Sequence, residues 1–291
     1  MDTAQFIYRP DEGSALADFD PKFTGGFPDE DEARAWMEGA AGEIAKYQDI
    51  MMAHGDYGLV VLFQAVDGAG KDATIKHVMS AADPQGCEVK MFKEVTEKEV
   101  RHDYLWRAVL ALPARGQIGI FNRSYYEHVL AERVHPEKLE RQRLPEEALG
   151  DGLWERRFRQ INDFERYLVE NGIHVLKFFL HLSREEQRER LLQRIDRPEK
   201  RWKFSSSDIK ERAFWDEYMR AYEEAFARTS TQTAPWYIIP DDSRWFARAA
   251  VASVIASKLK SFHADYPSPS REEEREMEGA RKALEAEDAG S

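Results

Sequence analysis

Along the chain, short apolar runs alternate with longer segments whose apolar positions recur every three to four residues. Five runs read as strands: residues 59–64, 88–92, 117–121, 174–182 and 236–239. A long helix is predicted over 29–53, before the first strand. A second follows the glycine loop at 68–70 and carries Ile75, Val78 and Met79 on its buried side. Residues 96–112 open with a capping-box signature, Thr96 to Glu99, and read as a helix. Residues 153–172 set Leu153, Phe158, Ile161, Phe164 and Leu168 on one stripe and end at Gly172. Strands alternating with helices predict an α/β protein with a five-stranded parallel sheet covered on both faces. Ligands then belong at the carboxyl ends of the strands.

The two ends differ from this middle. Residues 1–28 are loop-like, with Pro10, Gly13, Pro21, Gly25, Gly26 and Pro28, and read as an N-terminal extension. From 267 onward the chain is charged and nearly devoid of large apolar residues, which predicts a frayed helix or a flexible tail. The expected division is an extension over 1–28, one domain over 29–265 with a lid at about 184–215, and a tail over 266–291.

Composition and charge narrow the setting. A 42% hydrophobic chain is that of a folded protein rather than a disordered one. The lone cysteine, Cys87, excludes an intrachain disulfide and suggests a reducing compartment. No signal-peptide pattern opens the sequence, and its longest apolar run, IHVLKFFLHL, is broken by His and Lys, so a soluble cytoplasmic protein is expected. A net charge of −12 argues against non-specific binding to nucleic acid or membrane. An anionic ligand therefore needs a local basic cluster. Residues 188–203 supply one, with seven basic side chains against three acidic ones.

The candidate chemistry starts at FQAVDGAGKDAT, residues 63–74. It resembles the phosphate-binding pattern G-x-x-x-x-G-K-[ST], but Ala65 replaces the first glycine and Asp72 stands where the hydroxyl belongs. A strand-to-helix loop offers successive backbone N–H groups and the positive end of a helix to an anion. Gly68, Ala69 and Gly70 shape that loop, and Lys71 can reach terminal phosphates. Asp67 would be repelled by bound phosphate unless a divalent cation lay between them, which makes it a candidate metal ligand. It could also be a turn residue bonding its own backbone. Asp72 has the simpler reading of a favourable charge in the first helical turn.

At the end of the third predicted strand, FNRSYYEHVLAERV places Asn122 and Arg123 beside the loop. Arg123 can clamp phosphate or stabilise charge during transfer. Glu127 can supply a second metal-binding carboxylate. Arg133 reads equally as a ligand for the second substrate's phosphate or as a surface charge. Farther on, RIDRPEKRWKFSSSDIKERAFWDEY reads as a helix broken by Pro198, then a new helix capped at Ser207 or Asp208. A basic helix–loop–helix in that place looks like a lid closing over phosphates.

Together these three segments, in the same order over residues 30–263, resemble the polyphosphate kinase 2 family. The resemblance implies a three-layer αβα P-loop kinase fold with a helical lid, similar to thymidylate kinase. It also implies transfer of a phosphoryl group from inorganic polyphosphate to a purine nucleoside mono- or diphosphate. Mg2+ is the implied cofactor, with Mn2+ able to stand in, and a homodimer or homotetramer is the implied assembly. By motif position, Asp67, Lys71, Arg123 and Glu127 are the catalytic candidates, with Asp67 and Glu127 on the metal. Substrate phosphates and nucleotide fall to Gly68, Ala69, Gly70, Asp72, Thr74, Lys93, Asn122, Arg133, Arg190, Arg194, Lys200 and Lys203. Many members have aspartate at the strand end and asparagine five residues on. Here Asn122 and Glu127 reverse that pattern, resembling class III, the branch that phosphorylates both mono- and diphosphates. Two other readings remain open: an ATP-dependent nucleoside monophosphate kinase, and a non-catalytic binder of polyphosphate or nucleotide.

Overall fold

The computed structural model describes residues 1–288. Five parallel strands form one sheet in the order β2-β3-β1-β4-β5: β1 Gly58–Gln64, β2 Cys87–Met91, β3 Ile118–Asn122, β4 Ile173–His181 and β5 Trp236–Pro240. Each lies within a residue of the run that predicts it. Every position of β1 is buried, as befits a strand at the sheet centre with both faces covered. Phe63 pairs with Asn122 of β3 and Phe178 of β4, so β1 and β3 end side by side.

The helices are α1 Glu30–His54, α2 Lys71–Val78, α3 Trp106–Val109, α4 Ala131–Val134, α5 Pro136–Glu140 and α6 Leu153–Glu170. They continue with α7 Arg184–Asp196, α8 Ser206–Glu211, α9 Trp215–Thr229, α10 Arg244–Lys260 and α11 Arg271–Asp288. Asp29 caps α1 by accepting from the Asp31 and Glu32 backbone N–H groups, both at 3.0 Å. The predicted stripe of α6 is buried at Leu153, Phe158, Ile161 and Leu168. Arg157 and Glu165 on the same helix are buried too, which no apolar pattern reveals.

Two expectations need correction. The helix predicted over 96–112 is instead one 3-10 turn, Glu99–Arg101, followed by the four-residue α3. The capping box is present, with Thr96 N–H on Glu99 Oε2 at 2.7 Å. However, His102 is extended, and Asp103 caps a new start through Leu105 N–H at 3.0 Å. In the lid, α8 is capped by Ser205 rather than Ser207 or Asp208, which leaves Asp208 free to pair with Arg194. The tail, expected as a frayed helix or a flexible segment, forms the helix α11, exposed along its described length.

The N-terminal extension packs onto the domain. Phe6, Tyr8 and Leu16 are buried, Ile7 bridges Tyr237 beside β5, and Tyr8 donates to Glu223 at 2.6 Å. Three short 3-10 turns carry it across the surface. Among the described residues no helix is long and apolar enough to cross a membrane.

Candidate active site

The loop between β1 and α2 turns on two left-handed glycines, Gly68 at φ +96° and Gly70 at φ +89°. No side chain caps α2, so its first N–H groups face outward, ready for an anion. Lys71 folds back inside the loop, its Nζ donating to the Ala65 carbonyl at 2.9 Å. Burial, reinforced by the nearby guanidinium of Arg123, brings its ammonium down to about 8.

Arg123 follows the last residue of β3 and adopts φ +62°, a conformation that costs a non-glycine residue about 1–2 kcal/mol. Its guanidinium lies between two carboxylates: Nη2 on Asp67 Oδ1 at 2.6 Å and Nη1 on Glu127 Oε2 at 3.0 Å. Burial alone would raise both carboxyls. Arg123 outweighs it, with Lys71 helping, and holds both below their ordinary values. Glu127, in turn, holds the Arg123 guanidinium firmly protonated. Asn122 donates to Asp72 at 2.5 Å, so an aspartate there would set two carboxylates against each other. The carboxylate instead stands at Glu127, where Arg123 and the Gln64 amide (2.9 Å) receive it.

These groups line a cavity of about 520 Å³. Gly68, Gly70, Asp72, Lys93 and Asn122 line it, together with the lid residues Arg194 and Lys203. Arg194 is held there by Asp208. The Asp208 carboxyl is pushed up by burial and by the nearby charge of Asp67.

Five of the sequence candidates lie elsewhere. Arg190 is buried behind the loop, bonded to Asp241 Oδ2 and the Ala69 carbonyl at 2.8 and 2.9 Å. It braces the loop instead of facing the cavity. The Ala69 carbonyl accordingly points to that back side. Thr74 is buried inside α2. Arg133 pairs with Glu224 at 2.6 Å and lies over the Trp154 ring, away from the cavity lining. Lys200 bonds Gln193 at 3.3 Å on the lid and does not line the cavity. In each case helical or loop geometry turns the side chain, which spacing in the sequence does not reveal.

The structure also brings in residues that the sequence reading passes over. Gln64 orients Glu127, and Gln187 of α7 donates to the Asp67 carbonyl at 2.7 Å, tying lid to loop. The cavity is also lined by Arg107, Lys138 and Arg141. The buried Arg157 binds two further lining residues, Glu132 at 2.6 Å and Gln142 at 2.8 Å. A glutamine closing the apolar run of β1 was the one local signal for Gln64.

The family model described as Polyphosphate kinase 2 (PPK2) matches residues 28–267. The chain is 47% identical to an ADP-polyphosphate phosphotransferase of Rhodopseudomonas palustris over 234 residues, 79% of this chain and 81% of that one. It is 40% identical to an AMP/ADP-polyphosphate phosphotransferase of Meiothermus ruber over 268 residues, 91% and 96% of the two chains. Its fold matches a solved polyphosphate kinase 2 from Arthrobacter aurescens with a TM-score of 0.83 at 37% identity, covering 94% of this chain and 97% of that one.

Proposed function

The chain belongs to the polyphosphate kinase 2 family, and from that membership we propose that it transfers the terminal phosphoryl of inorganic polyphosphate to both AMP and ADP. The observation that carries the reading is the Arg123 guanidinium set between Asp67 and Glu127, with the Lys71 loop beside it. Two cations and an uncapped helix start can hold a phosphate chain, and two carboxylates at the same point can hold a metal.

The family's kinases need a divalent metal, and Mg2+ suits the groups present. Among the described residues no three His, Cys, Asp or Glu side chains converge, as a self-sufficient metal cage would require. Mg2+ is commonly held by one or two carboxylates, with substrate phosphate and water completing its shell. Asp67 and Glu127 are such a pair and already share a cationic partner. The ion would neutralise charge on the bound phosphates there.

The chain's own groups account for the remaining work. The backbone of residues 68–71 and Lys71 hold the phosphates, while Arg123 meets charge that builds on the transferring group. Arg194 and Lys203 approach from the lid side and help exclude water. The acceptor phosphate is already ionised at neutral pH, so no general base is needed. The reversed pair Asn122 and Glu127 supports acceptance of both AMP and ADP.

Incubation with AMP or ADP, Mg2+ and polyphosphate, without ATP, tests the reading. ADP and ATP should form from AMP, and ATP from ADP. Absence of any product would reject it, and product only when ATP is supplied as donor would favour an ordinary nucleoside monophosphate kinase.

A further inference from the structure

Behind the segment that carries Arg123 and Glu127 lies a charged cluster sealed from solvent. Tyr125 and Tyr126, between those two residues, turn inward and are buried. Both hydroxyls donate to one oxygen of Glu165 on α6, Tyr125 at 2.8 Å and Tyr126 at 3.0 Å. The other Glu165 oxygen accepts from Lys177 of β4 at 2.7 Å. Lys177 also donates to the Tyr126 hydroxyl at 3.0 Å and to the Thr229 carbonyl, at the end of α9, at 2.6 Å. Lys177 and Glu165 are 0% and 1% exposed, and no member of the cluster lines the cavity.

A buried ion pair is a poor choice for stability alone, because apolar residues of similar volume often serve a core as well or better. Its same-face neighbours along β4, Val175 and Phe179, are apolar and buried, so an apolar side chain would suit the position of Lys177. What the pair adds is direction. A tyrosine ring packed only by apolar contact can slide or tilt, whereas a hydroxyl bonded to a fixed carboxylate sets where the ring ends. Two such tethers lie on adjacent residues of a 3-10 turn, and the catalytic candidates stand on either side of them. The backbone here has reason to be held. Arg123 sits at φ +62°, a conformation an arginine leaves unless its surroundings impose it.

We propose that Lys177 and Glu165 are positioning residues for phosphoryl transfer, acting through the Tyr125 and Tyr126 hydroxyls to fix Arg123 and Glu127 over the phosphate loop. The inference rests on the catalytic reading of Arg123 and Glu127 given above. The cluster makes no contact with substrate. It ties β4, α6 and the end of α9 to one turn, so the site's two key side chains inherit the rigidity of the sheet. Loosening it should leave the binding groups in place and spoil their alignment, lowering turnover more than affinity.

Two variants remove the tethers without leaving a lone buried charge: Tyr125→Phe/Tyr126→Phe, and Glu165→Leu/Lys177→Met. Steady-state rates with ADP and polyphosphate are read beside thermal melts, with Glu127→Gln run in parallel. The expected result is a cooperative melt, a kcat lower by up to about 100-fold and KM values within about twofold of the parent. Parent kcat in both folded variants, or a KM rise with unchanged kcat, would overturn the proposal. Loss of the fold on Tyr125→Phe alone would also overturn it, since the hydroxyl would then serve stability. Impairment in Glu127→Gln beside parent rates in the tether variants refutes this inference alone. Full activity in Glu127→Gln refutes the reading of the site itself.

Discussion

Replacing Lys71 with methionine should abolish phosphoryl transfer and make the protein more stable. The structure sets the size of the effect. Burial brings the ammonium from 10.5 down to about 8, so keeping it charged at neutral pH costs about 3 kcal/mol relative to the unfolded chain. Methionine fills similar space without charge, but it gives up the bond to the Ala65 carbonyl, worth about 1 kcal/mol. A net gain of about 2 kcal/mol remains, which for a chain of this size raises Tm by about 4 °C. The sign with pH follows from proton binding. Between pH 8 and 10.5 the folded parent has released a proton that its unfolded chain still holds, so parent stability rises across that window. The gap between variant and parent should therefore close as pH climbs from 8 toward 10.5. Melts of both proteins at half-unit intervals from pH 7 to 10.5 measure it. A variant less stable than the parent at pH 7, or a gap indifferent to pH, would refute the reasoning.

Binding should carry the opposite dependence, because phosphate needs the charged lysine: above pH 8, kcat/KM for polyphosphate should fall about tenfold per pH unit. Calorimetry near pH 9 in buffers of different ionisation heat should register proton uptake on polyphosphate binding, and none would contradict the assignment. Arg190 and Arg194, one turn apart on α7, should separate cleanly. Arg190→Met strands the buried Asp241 and should cost about 3–5 kcal/mol in denaturant unfolding. Arg194→Met leaves the partly buried Asp208 unpaired and should cost less, about 1–3 kcal/mol, and raise KM for polyphosphate.

Alternation of apolar runs with amphipathic stretches marks which segments form the sheet and which cover it, and all five strands fall within a residue of where that pattern puts them, while their order is set by packing. The glycine loop was equally legible, because a left-handed turn entering a helix demands glycine at 68 and 70. Where local signals conflict, the pattern misleads. The capping box at Thr96 is real, yet Asp103 caps a second start seven residues later and the helix divides. The basic run on α7 shows a different limit. Four residues separate Arg190 from Arg194, enough for the first to be buried behind the loop while the second reaches the cavity.

Residue order alone settled which segments are strands, the phosphate loop and the presence of charged groups at the strand ends, since these follow from periodicity and backbone stereochemistry within a few residues. Tertiary structure decided which charges meet. The guanidinium of Arg123 lies between Asp67, 56 residues back, and Glu127. Lys177 is a charge in a strand that otherwise reads as core, and Glu165 is one of many charges on an amphipathic helix, so nothing local marks the two as partners. Partners that far apart are chosen by packing of whole elements, because a buried charge is tolerated only where distant chain supplies its opposite.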